Sequence, residues 1–273
     1  MEKAQPFLRW AGSKRKQLPV LSRFWNAGFN RYVEPFAGSA CLFFKILPRR
    51  ALLADINVNL INTFQVVRDH PQAVANRLNK IPLGKISYYH QRGMKGLDGD
   101  RIDAAARFIF LNRFCFNGLY RTNLAGWFNV PYAGSGTGNL PSASDLKNVS
   151  RALRSSQIIH ADFEETLDQT ESGDFVYLDP PYAVGNRRIF SQYDPSGFGL
   201  YDLQRLAQSL TSLDRKGVSF VLSYAYCSEA MKYFNGWRSK RLFVQRNIAG
   251  FSGARRRAGE ILFSNINPKL FAN

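Results

Sequence analysis

The motif Asp179-Pro180-Pro181-Tyr182 follows directly after the apolar segment 175–178. A carboxylate and a carbonyl fixed by proline can both accept hydrogen bonds from an amine, which raises the nucleophilicity of its nitrogen. The exocyclic amine of adenine is a poor nucleophile that needs such help. Tyr182 would offer an aromatic face to a base pulled out of a helix. The alternatives are a strand-ending turn and ordinary core packing of Tyr182.

A second group of polar residues lies at the ends of other apolar segments. A glycine-containing turn, 34–40, follows a short strand from Tyr32, and Asp55 ends the segment 51–54. This pattern is typical of the first half of a Rossmann-like unit. The turn lacks a Lys-Ser/Thr ending and no G-x-G-x-x-G follows the strand, which disfavours nucleotide hydrolases and NAD-dependent dehydrogenases. Taken singly, Asp55 and Asp162 could also be helix caps or turn residues.

The elements that must position these residues alternate in type along the chain. Apolar strands are predicted near 32–34, 51–54, 157–161, 175–178, 219–223 and 261–263, and an amphipathic helix over 203–213. Strands this apolar suit a buried, largely parallel sheet. We therefore predict an α/β fold, a Rossmann-like sheet with helices on both faces.

The stretch 58–142 breaks this alternation with helical segments, basic aromatic segments and the Gly/Ser-rich loop 133–138. We predict that it is a smaller, mainly helical inserted domain. The main domain would then consist of residues 1–57 and 143–273. The Gly/Ser-rich loop is too short to be an interdomain linker.

The composition is strongly basic: 37 Lys and Arg face 20 Asp and Glu among 273 residues, a net charge of +17. Such a surface attracts polyanions, although a solvated basic face or binding to a membrane surface would also explain the charge.

The three cysteines form no CxxC pair and few histidines accompany them, so neither a disulfide framework nor a metal site is expected. Without a signal-like or bilayer-spanning apolar run, we expect a cytoplasmic protein with no membrane association.

With these motifs in order, the sequence resembles the Dam-type family of DNA adenine methyltransferases over nearly its whole length. The resemblance implies an S-adenosylmethionine-dependent methyltransferase sheet, a target-recognition domain at 58–142 and methyl transfer to N6 of a flipped adenine in double-stranded DNA, within GATC. Direct transfer without a metal or an obligate protein partner is expected, in a bacterial cell or a phage-infected host. The matching segments are 7–14, 34–39, 54–57, 112–119, 128–131 and 179–182.

The resemblance also assigns roles to individual residues. Those implied in catalysis are Asp179, Pro180, Pro181 and Tyr182. Those implied around the cofactor are Trp10, Lys14, Glu34, Phe36, Gly38, Asp55, Asp162, Phe163 and Asp179, with Asp55 on the ribose hydroxyls and Asp162 accepting from the cofactor's adenine amine. Those implied at DNA are Arg9, Arg113, Phe116, Asn117, Leu119, Arg121, Arg255, Arg256 and Arg257, the last three on phosphate.

Three positions depart from the family pattern. Ala40 stands where the family commonly has glycine, Arg9 where it often has lysine and Phe116 where it often has tyrosine. Because arginine can form a fork onto a guanine edge where lysine makes one contact, an altered target sequence would first show at Arg9 and Phe116. An RNA adenine methyltransferase and a catalytically silent DNA-binding relative are the alternatives. Whether the enzyme is solitary, phage-encoded or part of a restriction-modification pair stays open.

Overall fold

A computed structural model describes residues 3–94, 99–123, 125–182, 198–244 and 258–266. Its central feature is a seven-stranded sheet with the order β3-β2-β1-β4-β5-β7-β6. The strands are β1 (Tyr32–Glu34), β2 (Ala51–Asp55), β3 (Ser156–His160), β4 (Phe175–Leu178), β5 (Ser219–Ala225), β6 (Arg238–Val244) and β7 (Ala258–Ser264). The first five strands in this order are parallel, and β7 pairs antiparallel with both β5 and β6. The predicted α/β fold with a largely parallel sheet is confirmed.

Helices cover both faces of the sheet. They are α1 (Leu18–Leu21), α2 (Cys41–Ile46), α3 (Val58–Asp69), α4 (Pro71–Asn79), α5 (Lys85–Arg92), α6 (Arg101–Phe114), α7 (Ala143–Leu153), α8 (Phe163–Asp168), α9 (Leu200–Arg215) and α10 (Ser228–Phe234). Alternate residues of a strand point to opposite faces. Accordingly Phe175 and Tyr177 of β4 belong to one apolar core, and Val176 and Leu178 to the other, which α9 completes.

The helices of the stretch 58–142 are joined to the sheet through α3. This helix contacts β2, β3 and α7, and on its other side it packs against α4 and α6. Its Phe64 and the Phe110 of α6 lie in the same core as Phe175. The first helix of the predicted insertion is therefore a covering layer of the sheet as well as part of the helical cluster.

The strand β6 was not predicted from sequence. The strand β6 carries charged residues at Arg238, Lys240 and Arg241 and forms the edge of the sheet. Charged edge strands lack the apolar alternation used for prediction, and they hinder pairing with other chains. No helix in the described parts of the chain is long and apolar enough to cross a bilayer.

The strand order reverses between β1 and β4, and the chain leaves both strands at their carboxyl ends on the same edge of the sheet. Ligands of open α/β sheets bind outside the carboxyl ends of strands at such a switch point. Glu34 ends β1, Asp55 ends β2 and Asp179 follows β4. The fold thus brings together carboxylates that are far apart in sequence.

Candidate functional site

Lys14 reaches the motif at the end of β4 from the N-terminal segment. Its Nζ lies 2.6 Å from Oδ1 of Asp179 and donates at 3.1 Å to the hydroxyl of Tyr182 and at 3.3 Å to the carbonyl of Gly12. The ring of Tyr182 packs edge-to-face on Tyr224 of β5, with centroids 4.9 Å apart. A cation, a carboxylate and an aromatic ring therefore meet at the switch point.

Lys14 is only 4% exposed, yet it is held as a cation. Burial opposes its charge, but the attraction of Asp179, Tyr182 and Glu260 outweighs burial and raises the pKa of Lys14 above its usual value. Glu260 of β7 is itself buried and accepts a hydrogen bond from the side chain of Gln17. The motif therefore has the Lys14 ammonium directly beside Asp179.

Asn112 anchors the segment that carries Lys14. The Asn112 side chain accepts from the amide of Arg9 at 2.8 Å and donates to the Arg9 carbonyl at 2.6 Å. The Arg9 guanidinium donates to the carbonyl of Arg113 at 2.9 Å. Gly118 packs so closely that an added Cβ would lie 2.7 Å from Cβ of Arg9. The segment thus links residues 112–118 directly to the motif at β4.

The turn after β1 is shaped by close packing at Gly38. Its φ of +47° and the approach of Trp10, 2.8 Å from where a Cβ would stand, leave no room for a side chain. The Gly38 amide donates to Oδ2 of Asp55 at 3.0 Å, and the amide of Asn57 donates to Oδ1 at 3.0 Å. Trp10 stacks on Tyr120 with centroids 6.1 Å apart.

The backbone conformation of Ala40 explains why the family commonly has glycine at this position. It adopts a left-handed conformation, φ 48° and ψ 39°, at the start of α2. Its amide donates to the carbonyl of Ala37 and its own carbonyl accepts from Phe44, so the turn is hydrogen-bonded on both sides. Such a conformation costs an alanine about 1–2 kcal/mol relative to the right-handed one.

The edge beside this turn fits a nucleoside that carries a cationic amino-acid tail, as S-adenosylmethionine does. Asp55 can accept from hydroxyls, and burial raises its pKa although the backbone amides oppose the shift. The neighbouring Ile56 is 59% exposed and Phe36 is half-buried, so both offer apolar surface to a ring. Glu34 is buried and accepts from the Tyr32 hydroxyl at 2.8 Å; burial raises its pKa well above the usual range.

Asp162 lies at the carboxyl end of β3 and is already engaged. Its Oδ1 accepts from the amide of Glu164, capping α8, and from the guanidinium of Arg205 at 2.7 Å. Phe163 is 4% exposed and packs against Phe36, with centroids 5.5 Å apart, and against Arg205. Phe36 therefore offers more surface to a ligand than Phe163 does.

Several residues expected at DNA lie on one exposed stretch after α6. Phe116 is 43% exposed, Asn117 is exposed with a left-handed φ of 54°, and Leu119 is half-buried. Arg121 donates to the side chain of Asn129 at 2.7 Å, which steadies the stretch. The expected phosphate contacts Arg255, Arg256 and Arg257 lie outside the described residues.

Arg9, Arg15 and Arg113 lie close to one another beside this stretch. Burial, and repulsion from Arg9 and Arg15, lower the pKa of Arg113 from its usual value. No ion pair within the described residues includes any of the three. Like charges held together without carboxylates favour the approach of an anion.

Some residues of the site were not found from sequence. They are Arg205, Tyr224, Glu260, Ile56 and Tyr120. Ile56 and Tyr224 carry a usable signal, since one follows Asp55 directly and the other lies one residue before the end of β5. Arg205 and Glu260 reach the site only through tertiary packing.

Comparisons with known proteins agree with this geometry. A sequence profile of the D12 class N6 adenine-specific DNA methyltransferases matches residues 10–248. The type II methyltransferase M1.LlaDCHI of Lactococcus lactis subsp. cremoris is 31% identical over 270 residues, covering 96% of this chain and 95% of that protein. The retron Ec67 DNA adenine methylase of Escherichia coli is 32% identical over 260 residues, covering 93% and 89%.

The DNA adenine methylase of Haemophilus influenzae is 30% identical over 254 residues, covering 90% of this chain and 88% of that protein. These relatives align along nearly the full length of the chain, so the match includes both the sheet and the helical stretch 58–142. Members of such a family use S-adenosylmethionine in general and act on DNA. The chain belongs to the D12 class of N6 adenine-specific DNA methyltransferases.

Proposed function

We propose that this enzyme transfers a methyl group from S-adenosylmethionine to N6 of an adenine flipped out of double-stranded DNA, within GATC. The observation that carries the proposal is the contact of Lys14 with both Asp179 and Tyr182 at the switch point, next to the turn at Gly38. This contact brings an acceptor for an amine and an aromatic face together beside the edge proposed to hold the cofactor.

Asp179 and the Pro180 carbonyl would accept hydrogen bonds from the two N–H groups of the target amine, which increases the electron density on its nitrogen. Tyr182 would stack on the flipped base, and its packing on Tyr224 fixes the ring in place beforehand. The bound cofactor supplies an electrophilic methyl group on a sulfonium. Lys14 places a positive charge 2.6 Å from Asp179, which would favour the carboxylate form that accepts hydrogen bonds.

For the cofactor, we propose that Asp55 accepts from the ribose hydroxyls and that Asp162 accepts from the adenine amine. The purine would lie against Phe36, which is half-buried, and Ile56, which is exposed. Trp10 and Gly38 shape the floor of the turn. Glu34 lies deeper in the sheet, where it would face the cationic amino-acid tail.

For the target, we propose that Phe116 and Asn117 enter the DNA helix beside the vacated base, since both are exposed directly after α6. Arg9, Arg113 and Arg121 would contact guanine edges or phosphates, and Leu119 would pack beside them. The roles of Arg255, Arg256 and Arg257 at phosphate, and the domain boundaries at 57/58 and 142/143, remain predictions from sequence.

The test is incubation of the purified chain alone with unmethylated double-stranded DNA and labelled S-adenosylmethionine, followed by mapping of methyladenine along the DNA. Label on adenine in GATC supports the proposed reaction, target sequence and action without a protein partner. We further propose that the enzyme acts where the DNA lies, in the cytoplasm of a bacterium or of a phage-infected host. Label in another sequence overturns GATC and directs attention to Arg9 and Phe116. Label on RNA but not on DNA, or no label despite cofactor binding, overturns the proposal.

A further inference from the structure

Arg205 of α9 lies among three carboxylates at the carboxyl end of β3. Its guanidinium contacts Oδ1 of Asp162 at 2.7 Å, Oε2 of Glu164 at 2.6 Å and Oδ1 of Asp202 at 2.9 Å. Its Cζ also lies 4.7 Å from the ring centroid of Phe163. Four separate contacts therefore fix both the position and the plane of this guanidinium.

The contacts are distributed unevenly over Asp162. Oδ1 takes both the Arg205 guanidinium and the amide of Glu164. Within the described part of the chain no donor reaches Oδ2, and the Asp162 side chain is 32% exposed. The carboxylate is thus held through Oδ1, while Oδ2 accepts no hydrogen bond from these residues, and the neighbouring Phe163 packs on Phe36.

We propose that Arg205 is a positioning residue that aims Oδ2 of Asp162 at the cofactor's adenine amine and so makes the site selective for a 6-aminopurine. The inference rests on the proposed function, in which Asp162 accepts from that amine. A fixed carboxylate is an acceptor only, so it attracts an exocyclic amine and repels the oxygen of a 6-oxopurine.

The simplest competing role for Arg205 is to clamp α8 to α9. Both roles predict weaker binding when Arg205 is removed, so a loss of affinity does not separate them. They differ in selectivity, because a clamp supports the whole edge equally whereas an aimed oxygen affects only the 6-position. Arginine rather than lysine is expected, since only a guanidinium can contact Asp162, Glu164 and Asp202 at once from one rigid plane.

The experiment measures dissociation constants by calorimetry for S-adenosylhomocysteine and S-inosylhomocysteine, which differ at the 6-position of the purine. The unmodified enzyme should prefer the adenosyl compound by about 10- to 100-fold, the range of a hydrogen bond to a charged group. Arg205→Ala should reduce this ratio by about fivefold or more, mainly through weaker binding of the adenosyl compound. Asp162→Asn, whose amide can donate to the 6-oxygen, should bring the ratio near unity.

Arg215→Ala is the matched control, because Arg215 is exposed at the other end of the same helix. Its ratio should equal that of the unmodified enzyme. If Arg205→Ala does not fold, Arg205→Lys decides: it keeps the charge but not the fork, and a reduced ratio is expected.

Two results overturn the inference. Equal weakening of both compounds, with an unchanged ratio, would make Arg205 a structural clamp only. No preference in the unmodified enzyme would remove the assumed adenine contact of Asp162. That second failure is distinct from failure of the proposed reaction, which the mapping of methyladenine decides independently.

Discussion

The carboxyl edge of the sheet holds two aspartate–cation pairs that are built differently. Asp179 is paired at 2.6 Å with Lys14, a nearly buried point charge on a flexible stem from outside the sheet. Asp162 is paired at 2.7 Å with Arg205, a fork that two more carboxylates hold in place. The Lys14 ammonium can rotate among its acceptors when a substrate amine arrives, whereas the guanidinium of Arg205 is fixed in one plane. This difference is what we expect from the proposed roles, with Asp179 as the reacting carboxylate and Asp162 as the recognising one.

The largest expected effect separates the two aspartates by kinetics. Asp179→Ala should lower the methyl-transfer rate by about 10³-fold, because the acceptor that activates the amine is lost. DNA affinity should stay within about threefold, since the proposed DNA contacts lie on other elements. Asp162→Ala should instead raise KM for the cofactor by about tenfold with little change in kcat. Steady-state kinetics with a DNA-binding measurement checks both.

Asp168→Ala, an exposed residue at the end of α8, is the control for removal of a surface carboxylate. It should change neither constant. Equal losses of kcat in Asp179→Ala and Asp162→Ala would mean that the two carboxylates share one role. The comparison between the two pairs would then fail.

The second prediction concerns the cations and the free energy of unfolding. Lys14→Met should lower it by about 1–3 kcal/mol, because Asp179 is left without its charge partner in a largely buried place. Arg205→Met should cost about 1 kcal/mol or less, since its pairs are closer to solvent. Denaturant unfolding measures both, and Lys14→Met with Asp179→Asn should recover part of the loss.

The pH dependence of the Lys14 effect follows from its raised pKa. A raised pKa in the folded protein gives stability that is fully present below the unfolded value of 10.5 and is lost only above it. The destabilisation of Lys14→Met should therefore be the same at pH 6 and at pH 9. A destabilisation that shrinks toward pH 9 would mean that Lys14 loses its proton in that range.

The sequence predicts the aspartates better than their partners, for a physical reason. Asp55, Asp162 and Asp179 each follow an apolar run, and the parallel sheet then places all of them at one edge. Lys14 is separated from Asp179 by 165 residues and Arg205 from Asp162 by 43, so no local pattern joins them. The family resemblance placed Lys14 near the cofactor, but its contact with Asp179 needed the packing of the N-terminal segment.

The left-handed turn at Ala40 and the edge strand β6 are two further features that the sequence does not predict. Alanine carries no local signal for a positive φ, and a charged edge strand carries no apolar alternation. Both follow from tertiary context. By contrast α9 was predicted over 203–213 and observed over Leu200–Arg215, because its apolar spacing alone determines which face is buried.

The third prediction tests whether the Asp179–Lys14 pair depends on the contact of the N-terminal segment with residues 112–118. Gly118→Ala would place a Cβ 2.7 Å from Cβ of Arg9 and 3.3 Å from its backbone carbon, at a φ of +63°. Gly126→Ala has a similar φ of +79° but nothing within 4 Å, which makes it the matched control for backbone strain. Gly118→Ala should lose about 1–2 kcal/mol more than Gly126→Ala, together with kcat.

Thermal unfolding and single-turnover methylation measure these two effects. The cofactor side, with Asp162 and Arg205, should be unaffected, so the affinity for S-adenosylhomocysteine should change little in either variant. Equal effects of the two alanines on kcat would show that backbone strain alone matters and that contact with Arg9 does not.

The smallest expected effect concerns Glu34, which ends β1 between β2 and β4. Burial raises its pKa well above the usual range, and the charges of Asp179 and Asp55 add to the shift, although the Tyr32 hydroxyl opposes it. The folded protein therefore keeps a proton that the unfolded chain releases above about pH 4.5, and stability falls as pH rises from there toward the folded pKa. Glu34→Gln removes this loss while keeping an acceptor for Tyr32.

Glu34→Gln should accordingly gain more stability relative to the unmodified enzyme at pH 8 than at pH 5, where each 1 kcal/mol corresponds to about 2–4 °C in Tm. The opposite trend would mean that Glu34 is ionised in the folded protein and stabilised by a cation. In that case Lys14 would also stabilise the charge of Glu34. The Asp179–Lys14 pair and the Asp162–Arg205 pair would then be electrostatically coupled through β1.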